Sequence, residues 1–115
     1  MTVEEIRNYC LSLPGTTESI KWDDHLCFSV GDKMYLVTAP DHFPVSASFK
    51  TTDALFEELP TREGIIPAPY MARHKWVRVD DIERLTDKEW TELLHIAYTQ
   101  VFEKLPAKTK KLIAG

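Results

Sequence analysis

Basic and aromatic side chains alternate in the segment Arg73-His74-Lys75-Trp76-Val77-Arg78. Nucleic-acid surfaces combine these residue types, because cations contact phosphates and aromatic rings stack on bases. If the segment is a β-strand, Trp76 and Arg78 share one face, and Lys75 and Val77 share the other. Trp76 beside Arg78 would then form a stacking platform. The alternative is that Trp76 packs in the core and the cations are solvated around it.

A second group of cations, Lys104, Lys108, Lys110 and Lys111, lies near the end of the sequence, with no acid after Glu103. These lysines either complement the dipole of a helix C-terminus as solvated residues, or join the first group in one patch. A joint patch would contact about 3 to 5 phosphates and would lose its affinity steeply with salt. The nucleic-acid-binding candidates are Lys33, Lys50, Arg73, His74, Lys75, Trp76, Arg78, Lys108, Lys110 and Lys111.

Two cysteines are the candidate nucleophiles. Cys10 falls on the apolar stripe of a predicted helix, where a thiol is buried and inert. His25, Cys27 and Ser29 alternate along a predicted strand, which places them on one face, but no third group is evident to orient the histidine. The histidines are scattered and lack the spacing of a zinc site. We therefore predict no catalytic residue, no metal site and no cofactor.

Composition and charge set the class of protein. The 115 residues include 14 Lys and Arg against 18 Asp and Glu, a net charge of -4 that disfavours nucleic acid and anionic membranes at long range. Any nucleic-acid surface must be a local patch. No stretch without formal charge is longer than that from Leu93 to Phe102, which is half the roughly 20 residues that a spanning helix needs. With no evident secretory signal, we expect a cytoplasmic protein without a membrane partner.

The elements that position these residues follow from periodicity and caps. Thr2 with Glu5 has capping-box spacing and predicts a first helix from Val3 to about Leu13. Strand-like segments follow at Ile20 to Trp22, Leu26 to Val30, Met34 to Ala39 and Val45 to Phe49. The second and third of them are joined by a turn at residues 31–33.

The second half of the chain predicts two more helices and one more strand. A short helix spans Asp53 to Leu59, residues 60–75 are irregular, and Trp76 to Val79 is a strand. Thr86 with Glu89 repeats the capping-box spacing and opens a long helix whose apolar stripe continues to Leu105. The order α-β-β-β-β-α-β-α predicts a single α+β domain over residues 1–115, with an antiparallel sheet of four to five strands packed against helices.

Seven short motifs resemble the MmcQ/YjbR family in order along nearly the whole chain: residues 10–15 (CLSLPG), 31–35 (GDKMY), 49–50 (FK), 69–71 (PYM), 74–77 (HKWV), 97–98 (AY) and 105–108 (LPAK). The resemblance implies an α+β fold related to the CyaY-like and secretion-chaperone-like shapes, sometimes described as a double-wing DNA-binding fold. It implies no enzymatic activity.

Two binding functions remain open. The first is a non-enzymatic domain that binds double-stranded DNA weakly and in a salt-dependent way through the candidate residues above. The second is a protein-interaction or chaperone-like module that binds a partner segment. The acidic balance and the Pro-rich, aromatic segment from Ile65 to Tyr70 favour the second, if that segment is an exposed docking loop and not a packed one.

Overall fold

The computed structural model describes residues 1–114, and its first helix has the predicted cap. Helix α1 spans Val3–Ser12, with the Thr2 hydroxyl accepting from the Glu5 amide and the Glu5 carboxylate accepting from the Thr2 amide. This reciprocal pair satisfies two amides that the helix itself leaves unpaired. Proline and glycine at positions 14 and 15 then turn the chain into the sheet.

Six strands form one antiparallel sheet, one or two more than we predicted. They are β1 Thr16–Lys21, β2 His25–Val30, β3 Lys33–Ala39, β4 Ser46–Lys50, β5 Ile65–Pro67 and β6 Trp76–Val79. Their order across the sheet is β1-β2-β3-β4-β6-β5, and every neighbouring pair is antiparallel. The added strand is β5, three residues at the sheet edge, in a region that we had predicted to be irregular.

Three further helices complete the described chain: α2 Asp53–Glu58, α3 Asp87–Phe102 and α4 Ala107–Ala114. Short 3₁₀ turns cover residues 59–61, 72–74 and 82–84. Helix α3 has the predicted Thr86 capping box, but it ends at Phe102, so the prediction that its stripe runs to Leu105 was wrong. A break at residues 103–106 separates α3 from α4, which carries Lys108, Lys110 and Lys111. No helix within residues 1–114 is both long enough and apolar enough to cross a membrane.

The main core lies between one face of the sheet and helices α1 and α3. Phe49 of β4 meets Trp90 of α3 edge to face at 5.5 Å between ring centroids. The indole of Trp90 donates a hydrogen bond of 2.8 Å to the carbonyl of Ile82, which satisfies its one polar atom in a fully buried position. Tyr98 of α3 donates to the carbonyl of Pro14 at 2.5 Å and thereby ties α3 to the end of α1.

The second face of the sheet carries a smaller apolar cluster. Cys27, Val37 and Trp76 come from three strands, and the loop between β5 and β6 covers them with Ala68 and Met71. The loop is held by hydrogen bonds from the Ala68 amide to the Trp76 carbonyl at 2.9 Å and from the Met71 amide to the Ala68 carbonyl at 3.1 Å. The same loop contains the first half of the basic segment, Arg73 to Lys75, and leads into Trp76 at the start of β6.

Candidate functional site

Trp76 is buried, which contradicts its predicted role as a base-stacking platform. Only 4% of its surface is exposed, and its ring packs with Cys27 and Val37 beneath the β5–β6 loop. Trp76 pairs with Lys50, and Arg78 pairs with Ser48, two positions earlier on β4, so Trp76 and Arg78 share one face as predicted. The ring cannot reach a base without opening this cluster. The core interpretation of Trp76 is the correct one.

The exposed aromatic ring of this region is Tyr70. It is fully exposed, at the tip of a turn closed by the Met71–Ala68 hydrogen bond. Its φ of 65° lies in the left-handed region, which is uncommon for a residue with a bulky side chain. The sequence signal was the pair Pro69-Tyr70, because proline favours the first central position of such a turn. We predicted Tyr70 in a docking loop only if the segment from Ile65 to Tyr70 is exposed, and we did not predict it as a nucleic-acid contact.

The end of β4 fastens the basic segment to the sheet. The ammonium of Lys50 donates to the carbonyl of His74, and the amide and hydroxyl of Thr51 donate to the carbonyl of Lys75 at 2.8 and 2.7 Å. Lys75 itself has a φ of 64° and ends the 3₁₀ turn, so it precedes β6 and is not part of it. Its ammonium lies 5.0 Å from the centroid of the Phe56 ring. Two predicted candidates, Lys50 and Lys75, are therefore neighbours.

Three lysines from different elements surround one cavity at this end of the domain. The cavity has a volume of about 260 Å³, and we call it the lysine pocket. It is lined by Lys33 at the start of β3, Lys50 at the end of β4 and, after α3, by Lys104. The remaining lining residues are Gln100, Val101, Leu105 and Pro106, so none of them is acidic.

The surroundings of Lys50 disfavour the charged form of its side chain. Partial burial lowers its pKa, and the positive charges of Lys104 and Lys75 lower it further, while Asp53 opposes the shift. Both effects disfavour the charged form. We use the name basic end for Lys33, Lys50, Lys75 and Lys104. The structure thus joins predicted candidates from the middle of the chain to Lys104, the first lysine of the terminal group.

The other candidates are placed less tightly. The Arg73 guanidinium donates to the ring of His74 at 3.3 Å, and both side chains are exposed beside the basic end. Lys110 lies on α4 at 3.9 Å from the Glu103 carboxylate, which partly neutralises it. Lys108 and Lys111 are exposed on the same helix, and neither lines the lysine pocket.

A larger cavity, of about 460 Å³, lies elsewhere, and several of its polar groups have partners within the fold. It is lined in part by Thr2 and Glu5, which form the cap of α1, and by Asp81, which accepts from the Glu83 amide at 2.9 Å. These oxygens already have partners within the fold. The lysine pocket, whose cations lack carboxylate partners among its lining residues, is the better candidate for a ligand site.

Neither cysteine has the surroundings of an activated thiol. Burial raises the pKa of Cys10 to about 12 and also raises the pKa of Cys27. Cys27 Sγ contacts the backbone carbonyl of His25 at 3.8 Å, and the carboxylate of Asp24 lies between the His25 and His42 rings at 2.7 and 2.9 Å. Within residues 1–114, no cluster of three or more His, Cys, Asp or Glu side chains is arranged to hold a metal ion.

A family model described as YjbR matches residues 11–100 of the chain, which is well over half of its length. The chain belongs to the YjbR family. Two curated YjbR relatives, each named "Uncharacterized protein YjbR", come from Escherichia coli strain K12 and from Escherichia coli O157:H7. Each is 25% identical over 115 residues, with 98% of this chain and 98% of the relative covered.

Two solved structures share the fold of this chain. A crystal structure of Deinococcus radiodurans protein DR2400, with a DUF419 domain, is 28% identical and superposes with a TM-score of 0.88, covering 98% of this chain and 88% of that one. A Pseudomonas syringae protein, 20% identical, has the same fold with a TM-score of 0.71, covering 88% of this chain and 99% of that one. The YjbR match ends at residue 100, so four residues of the lysine pocket lie beyond it: Val101, Lys104, Leu105 and Pro106.

Proposed function

We propose that this YjbR-family domain binds the sugar–phosphate backbone of double-stranded DNA through its basic end. The observation that carries the proposal is the convergence of Lys33, Lys50 and Lys104 around one cavity without an acidic lining residue. Separate sequence positions supply these charges, and the fold concentrates them although the whole chain carries a net charge of -4. Local concentration of cations is what contact with phosphates requires.

The electrostatic environment of Lys50 supports the same proposal. Its charged form is disfavoured by partial burial and by neighbouring cations, and a phosphate oxygen placed among the ammonium groups would reverse the second effect. Trp76 is buried, so its ring is not available to stack on a base. Backbone contacts carry no sequence information, so we expect binding without strong sequence preference.

The test is fluorescence anisotropy of a labelled 20-base-pair duplex at several salt concentrations. If all four lysines of the basic end contact phosphates, the slope of log K against log [salt] is about -3 to -4. Each of Lys50→Gln and Lys104→Gln should weaken binding and reduce the magnitude of the slope by about 1. Lys88→Gln is the matched control, since Lys88 is exposed at the far end of α3, roughly 24 Å from Lys104 along the helix direction.

Two results would count against the proposal. One is the absence of an anisotropy change at micromolar protein in low salt. The other is an equal loss of affinity in Lys88→Gln and Lys104→Gln, because this would trace binding to overall charge and not to the basic end.

A second candidate function is supported by Tyr70, whose ring is fully exposed on a turn with a left-handed backbone. Unfavourable backbone conformations are retained where the surrounding structure enforces them, and they concentrate at binding sites. We propose, as the alternative, that this turn docks a segment of a protein partner. Affinity capture with and without nuclease separates the two functions: partners that persist after nuclease treatment and are lost in Tyr70→Ala support protein docking, and partners lost with nuclease support DNA.

A further inference from the structure

We propose that the lysine pocket binds a small organic anion that carries one apolar chain. This proposal goes beyond the binding of DNA and does not depend on it. It rests on the combination of a cationic rim with an apolar floor in a single cavity of about 260 Å³, which is near the lower limit for small-molecule sites.

The floor of the pocket is apolar, and the turn between β2 and β3 packs against it. Val101, Leu105 and Pro106 supply it. Leu105 is only 7% exposed, and a Cβ atom added to Gly31 would lie 2.7 Å from its Cδ1 atom. The backbone of the β2–β3 turn therefore packs directly against Leu105, so the floor is formed before any ligand arrives. A preformed site avoids the free-energy cost of ordering it during binding.

The rim of the pocket is cationic and anchored. A hydrogen bond to the His74 carbonyl orients Lys50. Lys33 lies at the start of β3, and Lys104 lies in the connection between α3 and α4. Partial burial lowers the pKa of Lys50, and repulsion from the Lys104 ammonium lowers it further. A carboxylate or phosphate group at the rim would be attracted to all three lysines and would offset that repulsion.

A DNA phosphate satisfies the rim and leaves the floor unused. Backbone phosphates are polar on every side, whereas Val101 and Pro106 offer apolar surface in the same cavity as the three lysines. A ligand with both an anionic head and an apolar group complements both parts, and each buried CH₂ adds about 0.8 kcal/mol. Because the two ligands would share Lys50 and Lys104, we expect them to compete.

The experiment uses the full chain with defined probes. Octanoate and octyl phosphate carry the head and the apolar group, acetate and inorganic phosphate carry only the head, and octanol carries only the apolar group. We expect octanoate or octyl phosphate to bind at one site, at least about tenfold more tightly than the matching head group and than octanol. The preferred head group identifies the ligand chemistry. Calorimetry gives the affinity, and methyl NMR shifts at Val101 and Leu105 give the location.

Substitutions test both parts of the pocket. Lys104→Gln removes a rim charge, and Val101→Thr replaces an apolar group of the floor at nearly constant volume. Each should weaken octanoate binding at least about threefold, whereas Lys88→Gln should leave it unchanged. Thermal unfolding of each variant verifies that the domain is still folded.

Three results would overturn the inference: octanol binding as tightly as the charged probes, acetate or phosphate binding as tightly as the octyl compounds, or methyl shifts that lie away from the pocket. Its failure differs from failure of the proposed function. Octanoate binding without any DNA binding would leave the inference standing and remove the DNA proposal. DNA binding with no response to any octyl probe would do the reverse.

Discussion

At the scale of single residues, burial controls the chemistry of both thiols. Cys10 is fully buried in the main core, and its pKa is raised to about 12. Cys27 is also without exposed surface, but it lies in the smaller cluster, where Ala68 and Met71 of the β5–β6 loop pack on it. The thiolate is the reactive form, so both residues should resist thiol reagents in the native protein.

We predict that a chromogenic disulfide reagent at pH 8 modifies Cys27 before Cys10, and both much more slowly than a free thiol. Opening of one loop exposes Cys27, whereas exposing Cys10 requires disruption of the main core. The Cys10→Ala and Cys27→Ala variants assign each reaction phase to one thiol. Unfolding in guanidinium should expose both thiols to the reagent at once. Rapid reaction of Cys10 in the folded protein would contradict the structure.

Single residues also show where sequence reasoning succeeds and where it ends. The sequence predicted that Trp76 and Arg78 share one face of a strand, because the alternation of side chains along a strand is a local property. The burial of Trp76 depends on a loop that folds back over the sheet, and no local pattern indicates such a cover. For the same reason the exposed ring at Tyr70 was not recognised as the accessible aromatic group of this region.

At the scale of elements, the start of α3 combines a cap with an ion pair. The Glu89 carboxylate accepts from the Thr86 amide at 3.0 Å and lies 2.5 Å from the guanidinium of Arg62. The Arg62 hydrogen bond is the main cause of a lowered Glu89 pKa, followed by hydrogen bonding to Thr86. Because the folded-state pKa is below the unfolded one, this stabilisation is present above the unfolded pKa and is lost as pH falls through the folded pKa.

We predict that Glu89→Gln lowers the free energy of unfolding at pH 7 by at most about 1 kcal/mol, since glutamine retains the cap and the pair is partly exposed. The difference from the unsubstituted protein should shrink towards zero as pH is lowered to 3. Urea unfolding at both pH values measures it. Glu92→Gln, at an exposed position one turn along α3, should show no such pH dependence. A difference that grows in acid would contradict the prediction.

Elements with a strong local signature were predicted well. Both capping boxes, at Thr2 and Thr86, are present, and the turn at residues 31–32 joins β2 to β3. Strand β5 was missed because three residues ending in Pro67 give almost no period-2 pattern, and only pairing with β6 defines them. Helix α4 was missed because its lysines were interpreted as a run following α3.

At the scale of the whole molecule, the lysine pocket is a product of tertiary structure. Lys33, Lys50 and Lys104 are separated by at least 17 positions in sequence, and the sheet and α3 bring them together. Sequence reasoning named Lys33 and Lys50 as candidates from their charge, but it could not place them beside α3. The C-terminal segment also packs onto two turns, since added Cβ atoms at Gly15 and Gly31 would lie 2.7 Å from Ile113 and Leu105 respectively.

The packing of Leu105 on the β2–β3 turn predicts energetic coupling between distant parts of the chain. Gly31 has a φ of 56°, so Gly31→Ala introduces backbone strain of about 1–2 kcal/mol in addition to the clash. Leu105→Ala should cost about 2–5 kcal/mol, because Leu105 is a core residue. We predict that the double variant loses about 0.5–3 kcal/mol less than the sum of the two, since the smaller side chain makes room for the new methyl group.

Urea unfolding of the four proteins in this cycle measures the coupling. The control cycle pairs Gly31→Ala with Ile113→Ala. Ile113 packs on Gly15, and none of its atoms is among those nearest to Gly31. The free-energy changes of the control cycle should add within about 0.5 kcal/mol. Additivity in the Leu105 cycle would show that the turn and the C-terminal segment are not in the contact described. Coupling in the Leu105 cycle but not in the Ile113 cycle would show that the backbone at Gly31 supports the floor of the lysine pocket.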